Sequence, residues 1–403
     1  MSTVDTIIQR CQGLFDDLNF TYAREWKDAD PERKVIGFMP IYVPREIIHA
    51  GNMLPLGVLG GGDQLEVIQG DAYYQSYICR IPRSTIELVL TGRLDFVDGM
   101  LFPSICDVIR NLSGMLQMIK PGFYAHYYDM PQNYNKDIGG EFYVNELQEL
   151  RKAMEKIAGH EISDDAIRNS IAVYNENRNL VYKLYAMRAE QPWNIPAAEA
   201  YLLMRASMLM PVEEHSQMLV DYMGAVAENE RPKKDNCRIV VSGMFCEQPP
   251  LNLIKSLEMS GCYVVDDDFM MINRWPTVDI PIDGDPIANL SHSFLNHSLK
   301  TSATYEPEEE EKGKYLVEAV TKSAAEGVIF AAPSFCDPAL LERPMLQDAL
   351  NAANIPYTAF KYSENSGQMQ PIRNRPELSQ IQSNYGETNH ERSSRKKTKS
   401  RSP

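Results

Sequence analysis

Phe96-Val97-Asp98-Gly99-Met100-Leu101-Phe102-Pro103-Ser104-Ile105-Cys106-Asp107 and Gly327-Val328-Ile329-Phe330-Ala331-Ala332-Pro333-Ser334-Phe335-Cys336-Asp337 decide how this chain is read. Each is an apolar, strand-like run that ends in Pro-Ser-x-Cys-Asp, and each leads into a helix-like stretch, 108–119 and 338–350. A thiol placed twice at the carboxyl end of a strand stands where α/β folds keep their sites. Such a chain is expected to hold something with sulfur.

Strand and helix signals alternate on both sides of this pair. Residues 2–17 carry Val4, Ile7, Ile8, Cys11, Leu14 and Phe15 on one helical face, and Asp5 suits the positive end of the helix dipole. Residues 34–40 read as a short buried strand, and 44–50 open a helix with proline near the first turn. Further strands are expected at 95–102 and 123–129, and helices at 81–91 and 107–119. Apolar periodicity through Leu147, Leu150, Met154 and Ile157, and again from 204 to 223, makes 143–229 helical, and the charged, proline-bearing 228–236 reads as a linker. Strand signals resume at 238–241, 263–265, 327–332 and 357–360, separated by helices at 251–259, 312–325 and 338–352. The expected class is α/β: two Rossmann-like parallel-sheet domains flanking a central cleft, joined by a helical region. The divisions fall at 1–142 for the N-terminal helix and first α/β domain, 143–232 for the helical region and linker, 233–375 for the second α/β domain, and 376–403 for a disordered basic tail.

The chain has 403 residues and a formal net charge of -15, which argues against broad binding to a polyanion such as nucleic acid. Arg392, Arg395, Lys396, Lys397, Lys399 and Arg401 crowd the tail without aromatic or β-branched company, as in a solvated end. The start lacks a basic region followed by an apolar core, and no apolar run reaches spanning length; 201–212 is short and broken by Arg205. Seven cysteines, an odd number, do not form a disulfide framework, so a reducing cytoplasm fits. The acidic 305–312 reads as a solvated loop entering a helix.

Cys106 and Cys336 fall at the first turn of their helices, where unpaired N–H groups and the positive helix end favour the thiolate, the form that binds metal. Cys79 precedes another helix, beside Arg80, and Cys246 stands in a comparable place between a strand and a helix. Cys11, Cys237 and Cys262 read as packing residues. No Cys-x-x-Cys pair exists, so zinc ribbons and ferredoxin-type loops are unsupported. Ligands scattered over 79, 106 and 336 must instead be gathered by the fold; an iron–sulfur cube held by three thiolates keeps one iron open for chemistry. Isolated packing thiols are the competing reading. The glycine-rich 57–62 lacks a phosphate-loop ending and reads as a tight turn, so any ATP hydrolysis belongs to another chain. Nor is there a Gly-x-Ser-x-Gly nucleophile elbow. Glu46 lies past the first strand and can face the same crevice as the thiols, or simply satisfy a helix dipole; His49 reads as a structural histidine. Asp266-Asp267-Asp268 reads as a turn at a strand end, and 364–373 follow the last strand toward the cleft.

Pro44-Arg45-Glu46-Ile47-Ile48-His49-Ala50, Tyr77-Ile78-Cys79-Arg80, the two Pro-Ser-x-Cys-Asp segments, Phe245-Cys246-Glu247-Gln248-Pro249-Pro250 and 364–373 together resemble the catalytic subunits of ATP-dependent benzoyl-CoA reductases, nearest to the type called C or gamma. More widely they are similar to the 2-hydroxyacyl-CoA dehydratase D-component family. The resemblance runs from the first helix to about Arg373 and leaves the tail outside. It implies a [4Fe–4S] cluster on Cys79, Cys106 and Cys336, a place for Glu46 near the site, a homologous sister subunit and two ATPase iron–sulfur subunits. It also implies reduced ferredoxin as electron source and an aromatic acyl-CoA as substrate, reduced at the ring to a cyclohexadiene-carbonyl-CoA in anaerobic aromatic degradation. A fourth thiolate from Cys246 would close the cluster to substrate. The rival readings are a 2-hydroxyacyl-CoA dehydratase subunit, which borrows an electron without net reduction, and a clusterless structural partner.

Overall fold

The computed structural model describes residues 3–39, 41–75, 77–243, 248–299 and 312–362. The amphipathic stretch at the start forms α1 (Thr3–Asp16), followed by α2 (Thr21–Asp28), β1 (Lys34–Phe38), α3 (Arg45–Ala50), β2 (Met53–Gly57), α4 (Arg80–Leu90), β3 (Gly99–Pro103), α5 (Asp107–Ile119) and β4 (Tyr124–Tyr128). Four helices come next: α6 (Glu141–Ala158), α7 (Asp164–Glu190), α8 (Ala197–Ala206) and α9 (Val212–Glu228). The last third runs β5 (Cys237–Ser242), α10 (Leu251–Met259), β6 (Cys262–Asp267), α11 (Pro286–His297), α12 (Lys314–Lys322), β7 (Gly327–Pro333), α13 (Asp337–Ala352) and β8 (Tyr357–Tyr362). The strands form two parallel four-stranded sheets, ordered β2-β1-β3-β4 and β6-β5-β7-β8. This is the expected α/β class. The two sheets share one topology, because β5 to β8 repeat β1 to β4 in order and direction.

Parallel strands buried on both faces need near-continuous apolar sequence, and β3 and β7 supply it with every residue buried. In each sheet the strand order reverses beside the middle strand that carries Pro-Ser-x-Cys-Asp. Chain reversals of this kind open a crevice at the carboxyl strand ends. A single cluster of buried apolar residues extends from the first sheet through the four helices to the second. At 27 residues, α7 is the spine of that seam. Its Arg178 pairs with Glu46 of α3 at 2.7 Å, and its Arg188, ten positions on, pairs with Asp267 of β6 at 2.7 Å. Arg45 adds a third tie, donating to the carbonyl of Ile272 at 3.1 Å.

Several elements depart from expectation for identifiable reasons. β2 carries Pro55, which argues against a central strand, yet β2 is a sheet edge where a missing donor is tolerated. α11 lacks strong periodicity, but Asp285 caps it by accepting from the amides of Ile287 and Ala288, with Pro286 at its first turn. β3 starts at Gly99, later than 95, because 91–96 form turns. The three aspartates are not a turn. Asp266 and Asp267 end β6, and Asp268 accepts from the amide of Gly243 at 2.5 Å and the hydroxyl of Ser242 at 3.1 Å.

Candidate functional site

Both Pro-Ser-x-Cys-Asp copies leave their strands in the same way. Pro103 and Pro333 end the middle strands, in register with Tyr128 and Tyr362 of the neighbouring edge strands. The next amide continues the ladder in each: Ser104 donates to the carbonyl of Tyr128 at 3.0 Å, and Ser334 to that of Tyr362 at 2.7 Å. The chain then leaves the sheet, so the cysteine becomes the N-cap residue of the following helix, Cys106 for α5 and Cys336 for α13. Ser104 is fixed further, accepting from the amide of Met130 at 2.8 Å through its hydroxyl. Cys79 is likewise an N-cap residue, of α4. The loop before it is pinned by the buried Glu87, which accepts from the amides of Ile68, Gln69 and Gly70 at 2.7–3.0 Å.

The three thiols Cys79, Cys106 and Cys336 line one cavity of about 520 Å³. Ile105, Ile109, Phe335, Leu341 and Met345 make its walls largely apolar, while Asp107, Asp337, Gln132, Lys312 and Glu342 are its polar lining. Electrostatics reflects their proximity: Cys336 is among the groups that raise Cys106, and Cys79 and Cys106 are both among those that raise Tyr74. Burial pushes Cys106 up, outweighing the amides of Ile109 and Val108 that favour its thiolate. At Cys106 the helix end alone therefore does not outweigh burial, contrary to the expectation from sequence; a bound cation would have to supply the remainder.

A soft donor set on three separate helix ends, in a walled cavity, fits an iron–sulfur group. Among the described residues, no three His, Cys, Asp or Glu side chains stand where one metal ion would be held. Thiols that each take a different iron of a cluster stand further apart than ligands of one ion. The spacing therefore speaks against a mononuclear centre of these residues and not against a cluster.

The remaining singled-out residues separate clearly. Glu46 is 3% exposed, bound to Arg178 of α7, and not among the side chains lining the cysteine cavity. His49 bonds Ser170 at 2.8 Å and Glu213 at 3.0 Å, a structural arrangement. Cys237 and Cys262 begin β5 and β6 as register partners, and Cys11 packs its sulfur 3.4 Å from that of Met218. Burial raises all three, Cys11 to about 12 and Cys262 to about 11, as suits inert packing thiols. Among the described residues the cysteines are thiols, not disulfides. Cys246, the 364–373 segment and the basic tail lie outside the described residues. So does the acidic 305–312 loop apart from Lys312. Sequence reasoning missed Lys312 and Glu342, which pair at 2.7 Å inside the cavity wall. The signal for the first was faint: a lysine just before Gly313 at the start of α12.

No helix among the described residues is long and apolar enough to cross a membrane. The family model for 2-hydroxyglutaryl-CoA dehydratase, D-component, matches residues 40–377. Among curated proteins, the chain is 64% identical over 93% of its length to the C subunit of benzoyl-CoA reductase of Thauera aromatica, covering 96% of that protein. It is 31% identical over 81% of its length to the beta subunit of (R)-2-hydroxyglutaryl-CoA dehydratase of Acidaminococcus fermentans, covering 86% of it. It is 27% identical over 82% of its length to the beta subunit of (R)-phenyllactyl-CoA dehydratase of Clostridium sporogenes, covering 86%. On the match across 40–377 and these relatives, the chain belongs to the 2-hydroxyglutaryl-CoA dehydratase D-component family.

Proposed function

We propose that this chain is the cluster-bearing catalytic subunit of an ATP-dependent, ferredoxin-linked reductase of benzoyl-CoA or a substituted analogue. The observation that carries this reading is the meeting of Cys79, Cys106 and Cys336 in one cavity. The 64% identity to one chain of a benzoyl-CoA reductase supports the substrate class. Cys79, Cys106 and Cys336 would hold a [4Fe–4S] cluster, which when bound supplies electrons of very negative potential. The largely apolar walls suit a flat hydrocarbon ring. Phe335 and Leu341, 51% and 76% exposed at this cavity, offer apolar surface to the sister catalytic subunit. The two ATPase iron–sulfur subunits and reduced ferredoxin complete the electron supply. Glu46, held by Arg178, joins as a buried carboxyl whose part in the reaction is open to one substitution. E46Q that keeps iron but loses turnover supports a role, and full turnover returns it to packing.

Anaerobic assay of the co-expressed complex against benzoyl-CoA and ring-substituted analogues tests the whole, with ATP omitted as control. Ring reduction that requires ATP and consumes electrons stoichiometrically is the expected result. The dehydratase relatives favour a second reading, in which a 2-hydroxyacyl-CoA loses water and reductant is needed only to start. Turnover with limiting reductant separates the two.

A further inference from the structure

The repeated topology exposes an asymmetry at the cavity. In the first half, the helix that leads into the middle strand is α4, and its N-cap residue is Cys79. In the second half the corresponding helix is α12, whose N-cap is Gly313, directly preceded by Lys312. Both Cys79 and Lys312 line the same cavity as Cys106 and Cys336. One residue before the position where the repeat would place a fourth sulfur, the chain carries an ammonium group. That ammonium is 9% exposed and sits 2.7 Å from the carboxylate of Glu342, itself 6% exposed and on α13, the helix that Cys336 caps. Ionised groups almost never lie this deep unless paired, and breaking such a pair leaves an uncompensated charge in the wall.

We propose that the Lys312–Glu342 pair sets the reduction potential of the cluster held by Cys79, Cys106 and Cys336; the proposal rests on the cluster reading above. Reduction adds negative charge to a group already carrying thiolates, so nearby fixed charges tune it, as do hydrogen bonds and solvent exposure. Both side chains of the pair are buried, so their charges are weakly screened. Lys312 favours the reduced state, Glu342 opposes it, and together they hold an intermediate setting. Both are positioning residues, acting through the field they impose and not through contact with substrate.

The test is a redox titration followed by electron paramagnetic resonance on the intact, anaerobically purified complex, with iron content measured alongside. K312M should move the cluster potential down and E342Q should move it up. The double variant K312M/E342Q should return toward wild type, and K312R should stay near it. Opposite shifts that cancel are the signature, since a merely structural pair would move both variants one way. Unchanged potentials, or shifts of one sign, at wild-type iron content overturn the proposal while the cluster reading stands. Iron lost from K312M and not restored in K312R or the double variant also overturns it, marking the pair as a fold element. A wild-type complex with no cluster on this subunit overturns both.

Discussion

Ile105 and Phe335 hold the same place in two copies of one motif, and the backbone treats them differently. Phe335 has a φ of 70°, in the left-handed region, whereas Ile105 does not enter it. Ile105 is 8% exposed and Phe335 51%. For a residue with a Cβ that conformation costs roughly 1–2 kcal/mol, and it persists only where the surroundings demand it. The first copy is thus a relaxed anchor in the core. The second is held under strain at the cavity, with its aromatic ring facing out. One five-residue pattern can deliver the same thiol from a stable half and from a strained one. The strain lies on the side where the exposed apolar surface also lies.

The largest expected effect tests whether the two arms are functionally equal. C106S and C336S should each abolish iron retention and turnover, measured as iron per subunit and activity of the complex, while C237S and C262S keep both. If C336S alone retained iron, the strained copy would not be a ligand. Next come the two ties of α7 to the halves. Losing one partner of a buried pair costs about 3–5 kcal/mol, so R178M and R188M should each lower the denaturant midpoint substantially. R188M should cost more, because Arg188 also stacks on Tyr185 at 4.2 Å. Equal losses would say that neither half depends more on the seam.

Acid should strain the seam itself. Burial lowers His215 to about 3, with Arg45 adding to the effect, while its Nε2–H donates to the carbonyl of Leu203 at 3.1 Å. The folded state therefore binds fewer protons than the unfolded chain between that value and the ordinary 6.5. Stability is full above the upper value and falls as pH drops through the window, by up to about 1.4 kcal/mol per pH unit. Denaturation curves of wild type and H215Q should diverge there, with the shallower slope in the variant. The smallest effect isolates the backbone: F335G should stabilise by about 1 kcal/mol or less, since glycine relieves the left-handed φ but adds unfolded-state freedom. I105G should destabilise by about 2 kcal/mol or more, because it empties a core position. Like signs from the two substitutions would remove the distinction between the copies.

The α/β class, the repeated Pro-Ser-x-Cys-Asp turn and the start of α5 at Asp107 were all legible in the order of residues. These rest on forces acting within a few residues: apolar alternation, proline at strand ends and capping at helix starts. The thiols could be named in the same way, but their meeting was implied only by the family resemblance and not by any local pattern. That Cys79, Cys106 and Cys336 line one cavity follows from two sheets reversing their strand order side by side. No local pattern encodes that. Nor does one encode the burial that binds Glu46 to an arginine 132 residues away, or the ammonium of Lys312 in the wall. β2 was hidden for the same reason, since only its edge position accommodates Pro55, whereas α11 carried a local signal, Asp285 before Pro286, in a stretch of weak periodicity. Local chemistry wrote the parts, while long-range packing, which decides burial and hence charge pairing, chose which of them face one another.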